Sequence, residues 1–124
     1  MKYELDSRKV EIELQKAVQE MLELAGKAQR SNSAAVELVL HCNDTLRPVN
    51  KLLEVTGSND IRLIREALVQ IKISATKIAN LSNSQDAADI ERELQNIRSI
   101  GQKLLAFRIM PWEGSVSDKT LSRV

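Results

Sequence analysis

The chain has 124 residues, of which 43% are hydrophobic and 28% charged, and its aromatic residues are one Trp, one Tyr and one Phe. A chain of this length forms one domain with a single core, and a composition this apolar excludes an intrinsically disordered protein. Eighteen Lys and Arg residues against 17 Asp and Glu residues give a net charge of +1, so no overall field attracts a nucleic acid or an anionic membrane, and both partners are disfavoured.

Neither a membrane span nor a leader segment is expected. Residues 1–13, MKYELDSRKVEIE, alternate charged and apolar side chains where a signal peptide needs an unbroken apolar run. No stretch approaches the roughly 20 consecutive apolar residues of a membrane-spanning helix, so we expect a cytoplasmic protein. A single cysteine and a single histidine exclude an internal disulfide and a structural zinc site.

Apolar residues recur at alternating steps of three and four in four stretches, the spacing that keeps one stripe of a helix facing its partners. The first two stripes are Val10, Leu14, Ala17, Met21, Leu24 and Ala28, then Ala35, Val39, Cys42, Leu46, Val49 and Leu53. The other two are Ile61, Ile64, Leu68, Ile71, Ala75 and Ile78, then Ala87, Ile90, Leu94, Ile97, Gly101 and Leu104. We therefore predict an all-α protein with four helices.

Short breaks rich in Ser, Asn and Asp separate the stripes at residues 31–33, 56–60 and 82–86, and such side chains cap helix starts. Because short connections make consecutive helices antiparallel neighbours, we predict an up-down-up-down four-helix bundle over residues 1–109. Residues 110–124 lose the period, and Pro111 and Gly114 break helices, so this segment is predicted to be an extended or disordered, flexible tail.

The stretch VLHCNDTLRPVN (39–50) contains the only histidine and the only cysteine. Cys42 falls in the stripe and is predicted to be a core residue, whereas His41 is rotated by about 100° toward the solvent-exposed flank. A lone histidine on a four-helix bundle resembles the histidine phosphotransfer domains, which makes His41 an alternative phosphoacceptor. The lysine and glycine of that family's His-x-x-Lys-Gly motif are replaced here by Asp44 and Thr45.

Pro48 lies within the second stripe, although proline removes one helix hydrogen bond and clashes with the carbonyl four residues earlier. The stripe passes through Pro48 without a skip, which leaves two interpretations open. The helix is kinked there, with Asn43, Asp44 or Thr45 satisfying the freed backbone groups, or it is broken and restarts near Pro48. A kink would also open a groove that receives a peptide.

Apolar residues outside the stripes are the candidate partner-binding residues. Ile12 and Ile73 occupy the outermost position of their helices, and Leu40 and Val69 lie beside it. Val69 and Ile73 are four residues apart, so they stack on one helix face, which indicates a surface for a protein partner or for self-association. Trp112 is a further candidate, because an aromatic residue in an extended segment either anchors a partner or folds back over Phe107 and Ile109.

The third helix carries a basic strip of Arg62, Arg65, Lys72 and Lys77, the alternative site for RNA or DNA. We find no Glu-x-x-His pairs for two metals, no serine motif around the histidine and no glycine-rich phosphate loop, so no cofactor or metal is expected. Gly101 interrupts the fourth stripe, which predicts close packing against Met21 or Leu22.

From these features we predict a non-enzymatic protein-protein interaction module, such as an adaptor, an inhibitor or a chaperone-like regulator. It would act through the outward apolar helix face and the Trp112 tail. Phosphotransfer through His41 and nucleic-acid binding through the basic strip are the alternatives.

Overall fold

The computed structural model describes residues 6–111, which contain four helices and no strand. The helices are α1 (Ser7–Ala28), α2 (Asn32–Thr56), α3 (Asn59–Ala79) and α4 (Ala87–Ala106). Helices account for 83% of the described residues, and the helices pack as a four-helix bundle. The prediction of an all-α four-helix fold is confirmed.

Two of the three predicted breaks contain a side chain that caps the next helix, whereas Asp86 at the start of α4 makes no side-chain capping hydrogen bond. The Ser31 hydroxyl accepts a hydrogen bond from the Ala34 amide at the start of α2, and the Ser58 hydroxyl accepts one from the Ile61 amide at the start of α3. Between them, Gly57 adopts the left-handed conformation (φ 61°), and its amide donates to the Leu53 carbonyl at 2.8 Å. This short turn requires a residue that tolerates positive φ, which glycine does without strain.

Each helix packs against two neighbours. The packed pairs are α1 with α2, α2 with α3, α3 with α4, and α1 with α4, so α1 and α3 occupy diagonal corners. Along α1 and α4, the Gln15 side chain donates to the Leu105 carbonyl and the Gln29 side chain donates to Glu91. Early residues of α1 thus meet late residues of α4, as expected for antiparallel neighbours.

The core contains the predicted third stripe complete and the fourth stripe except Ala87, which is exposed. In α1 and α2 the buried positions differ from the prediction. Fully buried are Val18, Ala25 and Leu38, whereas the predicted Ala17, Leu24 and Val39 are only half-buried. The predicted and the observed stripes have alternate positions in common and differ by one residue at the positions between. Both stripes fit the period of three and four, so the period alone does not show which of them faces the bundle axis.

Helix α2 continues through Pro48 without a break, so the interpretation that the helix restarts near Pro48 is wrong. The Thr45 hydroxyl donates to the His41 carbonyl at 2.9 Å. It therefore does not satisfy the Asp44 carbonyl, which is the group that Pro48 leaves without its usual donor. A side-chain hydroxyl that donates a hydrogen bond to the carbonyl four residues earlier bends a helix. Thr45 and Pro48 therefore both favour a bend in the same turns of α2.

Residues 107–111 follow α4 in an irregular conformation, and we call them the C-terminal strap. Ile109 is buried in the core at 6% exposure. The Ile109 amide donates to the Glu11 carboxylate and the Met110 amide donates to the Asp60 carboxylate, both at 2.8 Å. The strap thus joins α1 to α3. Trp112 and the remainder of the predicted tail lie outside the described residues.

Candidate functional site

The outer surfaces of α2 and α3 share one side of the bundle. A groove between α1 and α2 is lined on α2 by Thr45, Pro48 and Leu52, so this flank of α2 faces α1. By helical spacing, Val36 lies on the outer surface on the side of α3, and Leu40 faces directly outward from the bundle.

The outward side of α3 is identified in the same way, from the groove that it lines. Its flank toward α4 carries Leu63, Ala67 and Gln70, which line a second groove. Val69 therefore lies on the outer surface toward α2, and Ile73, one turn further along, faces directly outward. We call the surface that contains Val36, Leu40, Val69 and Ile73 the α2–α3 face.

These apolar side chains lie at the same level of the helix pair. Near one end, the Asn32 side chain donates to the Ile78 carbonyl at 3.0 Å. Leu40 is eight residues beyond Asn32 on α2, and Ile73 is five residues before Ile78 on α3. At 1.5 Å per residue these two residues therefore lie about 12 Å and about 8 Å along their helices from this hydrogen bond. Leu40, Val69 and Ile73, three of the residues predicted for partner binding, thus lie on two adjacent helices, and their role in binding stays a prediction.

The α2–α3 face leaves much of its apolar area in contact with solvent. Leu40 is 56% exposed, Val36 48% and Ile73 43%, while Val69 is half-buried against the core. Val36 was missed in the sequence analysis. The signal was present, because Val36 and Leu40 are four residues apart outside the stripe, as Val69 and Ile73 are.

Basic side chains surround this apolar area. Steps of three and four from Arg62 through Arg65 and Val69 to Lys72 and Ile73 place all five residues on one side of α3. Within the described residues, none of the three basic residues, Arg62, Arg65 and Lys72, forms an ion pair. The basic strip and the apolar residues, which the sequence analysis treated as separate sites, are therefore one surface.

Lys77 does not belong to this surface. Its ammonium lies 4.0 Å from a carboxylate oxygen of Glu93 on α4, on the opposite flank of α3. Arg47 extends the basic area on α2, but Asp44 lies 3.5 Å from it and offsets its charge. Within the described residues, the bases of the face that form no ion pair are Arg62, Arg65 and Lys72, and Glu66, three residues before Val69, is an exposed carboxylate without an ion pair on the same side of α3.

Ile12 is as exposed as Leu40, at 56%, but it lies on α1. Because α1 and α3 occupy diagonal corners of the bundle, Ile12 faces away from Val69 and Ile73. A single exposed apolar side chain is common on monomeric proteins, so Ile12 does not extend the α2–α3 face. Trp112 lies outside the described residues, and its predicted role stays a prediction.

His41 is less accessible to solvent than its position on the flank of α2 predicted. Its side chain is 27% exposed, and its Nε2 atom lies 3.1 Å from a carboxylate oxygen of Glu20 on α1. The Nε2 atom itself is buried. This environment opposes phosphoryl transfer to Nε2, because the carboxylate repels an incoming phosphoryl group.

Cys42 is fully buried among the residues of the core, as predicted. Burial raises the pKa of its thiol from 9.0 to about 12, and the nearby Lys72 ammonium opposes this rise. Because the thiolate is the reactive form of cysteine, a thiol with this pKa is inert at neutral pH.

The groove beside Pro48 and a groove between α3 and α4 are two further features of the surface. The groove beside Pro48 has a volume of about 370 Å³, with Ala17, Val49 and Leu52 on its walls and the carboxylates of Glu13 and Asp44 at its rim. The groove between α3 and α4 has a volume of about 390 Å³ and is lined by Phe107 of the strap. The sequence analysis anticipated the first groove from Pro48 and missed the second.

Comparison of the chain with protein-family models, curated proteins and solved structures found no match. Residues 6–111 hold no group of three or more His, Cys, Asp or Glu side chains arranged to bind a metal ion. None of the four described helices has the length and apolar character needed to cross a membrane.

Proposed function

We propose that this protein is a non-enzymatic protein-protein interaction module of the cytoplasm, an adaptor, inhibitor or chaperone-like regulator, that binds its partner through the α2–α3 face. The observation that carries the proposal is the grouping of Val36, Leu40, Val69 and Ile73 on one side of two adjacent helices. A grouped apolar surface with a polar rim is typical of an interaction site, whereas scattered apolar side chains are not.

The helices that carry the face are anchored in the core. The inner sides of α2 and α3 form much of the core, with Leu38 and Cys42 from α2 and Leu68 and Ile71 from α3 fully buried. A partner that docks on such a surface pays little for ordering it, so most of the apolar area covered contributes to affinity, at about 25 cal/mol per Å² before the other costs of association.

Affinity capture from host lysate tests the proposal. The full chain, Leu40→Lys plus Ile73→Lys, and Ile12→Lys would be immobilised at equal density, and circular dichroism would show that each is folded. We expect the double variant to lose the retained partner, because lysine places charge where the partner needs apolar contact. Ile12→Lys is the matched control, since Ile12 and Leu40 have equal exposure on different sides of the bundle, and it should retain the partner. Loss with Ile12→Lys and retention with the double variant would contradict the proposal.

The contribution of Trp112 requires a separate comparison, between residues 1–124 and residues 1–111. Truncation after Pro111 keeps the Met110 amide that donates to Asp60, so the strap stays intact. If the tail contributes a contact, the shorter chain and Trp112→Ala should both capture less partner while the α2–α3 face remains necessary. Equal capture by all three chains would remove Trp112 from the proposed site.

A further inference from the structure

We propose that Trp112 docks into the groove between α3 and α4 of its own chain. The sequence leaves two roles open for Trp112, an anchor for a partner or a contact that folds back over the protein, and the position of this groove favours the second. The inference is independent of the proposed function, because the groove lies on the flank of α3 toward α4, whereas Val69 lies on the side toward α2.

The groove is an apolar surface with a polar rim. It has a volume of about 390 Å³, and its apolar lining residues are Leu63, Ile64, Ala67, Ile100, Leu104 and Phe107. Leu63 is 45% exposed, so an occupant of the groove would cover it. Glu66 and Lys103 at the rim are exposed and opposite in charge. The groove therefore favours an apolar side chain and gives no preference for a charged one.

The C-terminal strap brings the chain back to this groove. Phe107, the first residue of the strap, lines the groove, and three residues later the Met110 amide donates to the Asp60 carboxylate at 2.8 Å. Asp60, Leu63 and Ala67 follow one another at steps of four and three or less along α3, so Asp60 lies on the flank that lines the groove. Residue 111, where the described part of the chain ends, is one residue from this anchor.

Trp112 is within reach of Leu63. It is two residues beyond Met110, a span of at most about 7 Å in an extended chain. Leu63 is three residues beyond Asp60, which is about 4.5 Å along α3. Pro111 has a fixed φ, and a residue that precedes proline favours an extended backbone. Docking of Trp112 therefore costs little backbone entropy beyond that of Trp112 itself.

The tether gives Trp112 an advantage over other occupants. A group joined to its site by a short linker has an effective concentration on the order of millimolar, which a second copy or a free peptide does not reach in dilute solution. Trp112 is the only aromatic residue in residues 112–124, and its indole can pair with the ring of Phe107. The groove beside Pro48 is a poorer site, because it lies between α1 and α2 and Met110 is anchored to α3.

Intrinsic fluorescence tests the inference directly, because Trp112 is the only tryptophan of the chain. Excitation at a wavelength that tyrosine does not absorb isolates its emission. In the full-length native protein we expect emission at a shorter wavelength than in the urea-unfolded chain, together with protection from acrylamide quenching. Leu63→Lys should shift the native emission toward that of the unfolded chain and remove the protection, because it places a charge where the indole needs apolar contact.

Ile73→Lys is the matched control. Ile73 and Leu63 are both on α3 and are 43% and 45% exposed, but Ile73 does not line the groove. Ile73→Lys should therefore leave the emission and the quenching unchanged, and circular dichroism would show that both variants are folded. If Leu63→Lys does not fold, nuclear Overhauser effects between the Trp112 indole and the Leu63 methyl groups of the wild type decide the question, and their absence would contradict docking.

Three other results would overturn the inference. Native emission equal to that of the unfolded chain would mean that Trp112 is exposed to solvent. Short-wavelength emission that a folded Leu63→Lys variant does not change would place Trp112 elsewhere. A shift that grows with protein concentration would mean that the groove holds Trp112 of a second copy. None of these results bears on the proposed function, which is tested by the dependence of lysate capture on Leu40 and Ile73.

Discussion

Gly101 sets the distance between α1 and α4. A Cβ atom at this position would lie 2.7 Å from Leu22 Cδ2 and 3.1 Å from Leu22 Cγ. Real side chains do not approach that closely, so any larger residue forces Leu22 out of its place. The sequence predicted close packing at Gly101 and named Leu22 as one of two partners, and the structure confirms both the packing and this partner.

A pair of glycine substitutions measures this effect. Gly26 is exposed in α1, with no atom within 4 Å of an added Cβ. Gly26→Ala should therefore stabilise the protein by about 0.5–1 kcal/mol through helix propensity. We expect Gly101→Ala to destabilise it by about 1 kcal/mol, because overpacking outweighs the same gain. Urea denaturation of both variants checks this, and equal stabilisation by both would show that Leu22 yields without cost.

Cys42 should be protected from thiol reagents. In the native protein we expect slow reaction with a disulfide reagent at pH 8, and rapid reaction once urea unfolds the chain, because the thiol is buried and its pKa is raised to about 12. An exposed control is Ile12→Cys in a Cys42→Ala background, which should react at once. Rapid labelling of native Cys42 would contradict its place in the core.

The raised pKa of Cys42 also has a stability signature. The folded state holds the thiol proton more tightly than the unfolded state, whose thiol titrates near 9.0. The stabilisation is therefore complete below pH 9 and is lost as the pH rises toward 12. Other groups titrate in this range as well, so the measured quantity is the difference in unfolding free energy between the wild type and Cys42→Ala. That difference should shift against the wild type above pH 9, and a constant difference would contradict the raised pKa.

Within helix α2, Pro48 leaves the Asp44 carbonyl without its helical donor. Pro48→Ala restores the backbone N–H and removes the clash, so we expect stabilisation by about 1–3 kcal/mol. Arg47→Ala, one residue earlier and exposed, controls for the loss of a surface side chain and should change little. Thermal denaturation compares the two. If Pro48→Ala destabilises the protein, the ring that lines the α1–α2 groove contributes more than the hydrogen bond it prevents.

The C-terminal strap should contribute to stability through Ile109. Ile109 is buried at 6% exposure, whereas Met110 is 70% exposed. Ile109→Ala should destabilise the protein by about 2–4 kcal/mol, because it leaves a cavity at the end of the bundle. Met110→Ala should change the unfolding free energy by less than about 0.5 kcal/mol. Similar effects of the two substitutions, measured by urea denaturation, would mean that the strap is not part of the core.

The helices themselves could be predicted, because each stripe is long and two of the three breaks contain a capping residue, Ser31 or Ser58. The strap could not. Residues 107–111 have no periodic pattern, and the carboxylates that bind their amides, Glu11 and Asp60, are distant in sequence. The sequence pattern also could not show which residues of α1 are buried, since Ala17 and Val18 fit the period equally well.

At the level of the whole bundle, the candidate site depends on which helices are neighbours. The apolar pair in α3 was visible in the sequence, and so was Leu40. Their combination into one face follows from the packing of α2 against α3, and the separation of Ile12 follows from the diagonal position of α1. Spacing within one helix gives a face, but only tertiary packing shows which faces join.

The most direct test of the docking face is site-specific photocrosslinking. A photoreactive amino acid replaces Leu40, Ile73 or Ile12 in separate full-length chains, and irradiation in host lysate captures whatever lies against each position. We expect the same partner to crosslink from positions 40 and 73 and not from position 12. A partner that crosslinks from position 12 alone, or different proteins captured from positions 40 and 73, would show that α2 and α3 do not form one docking face.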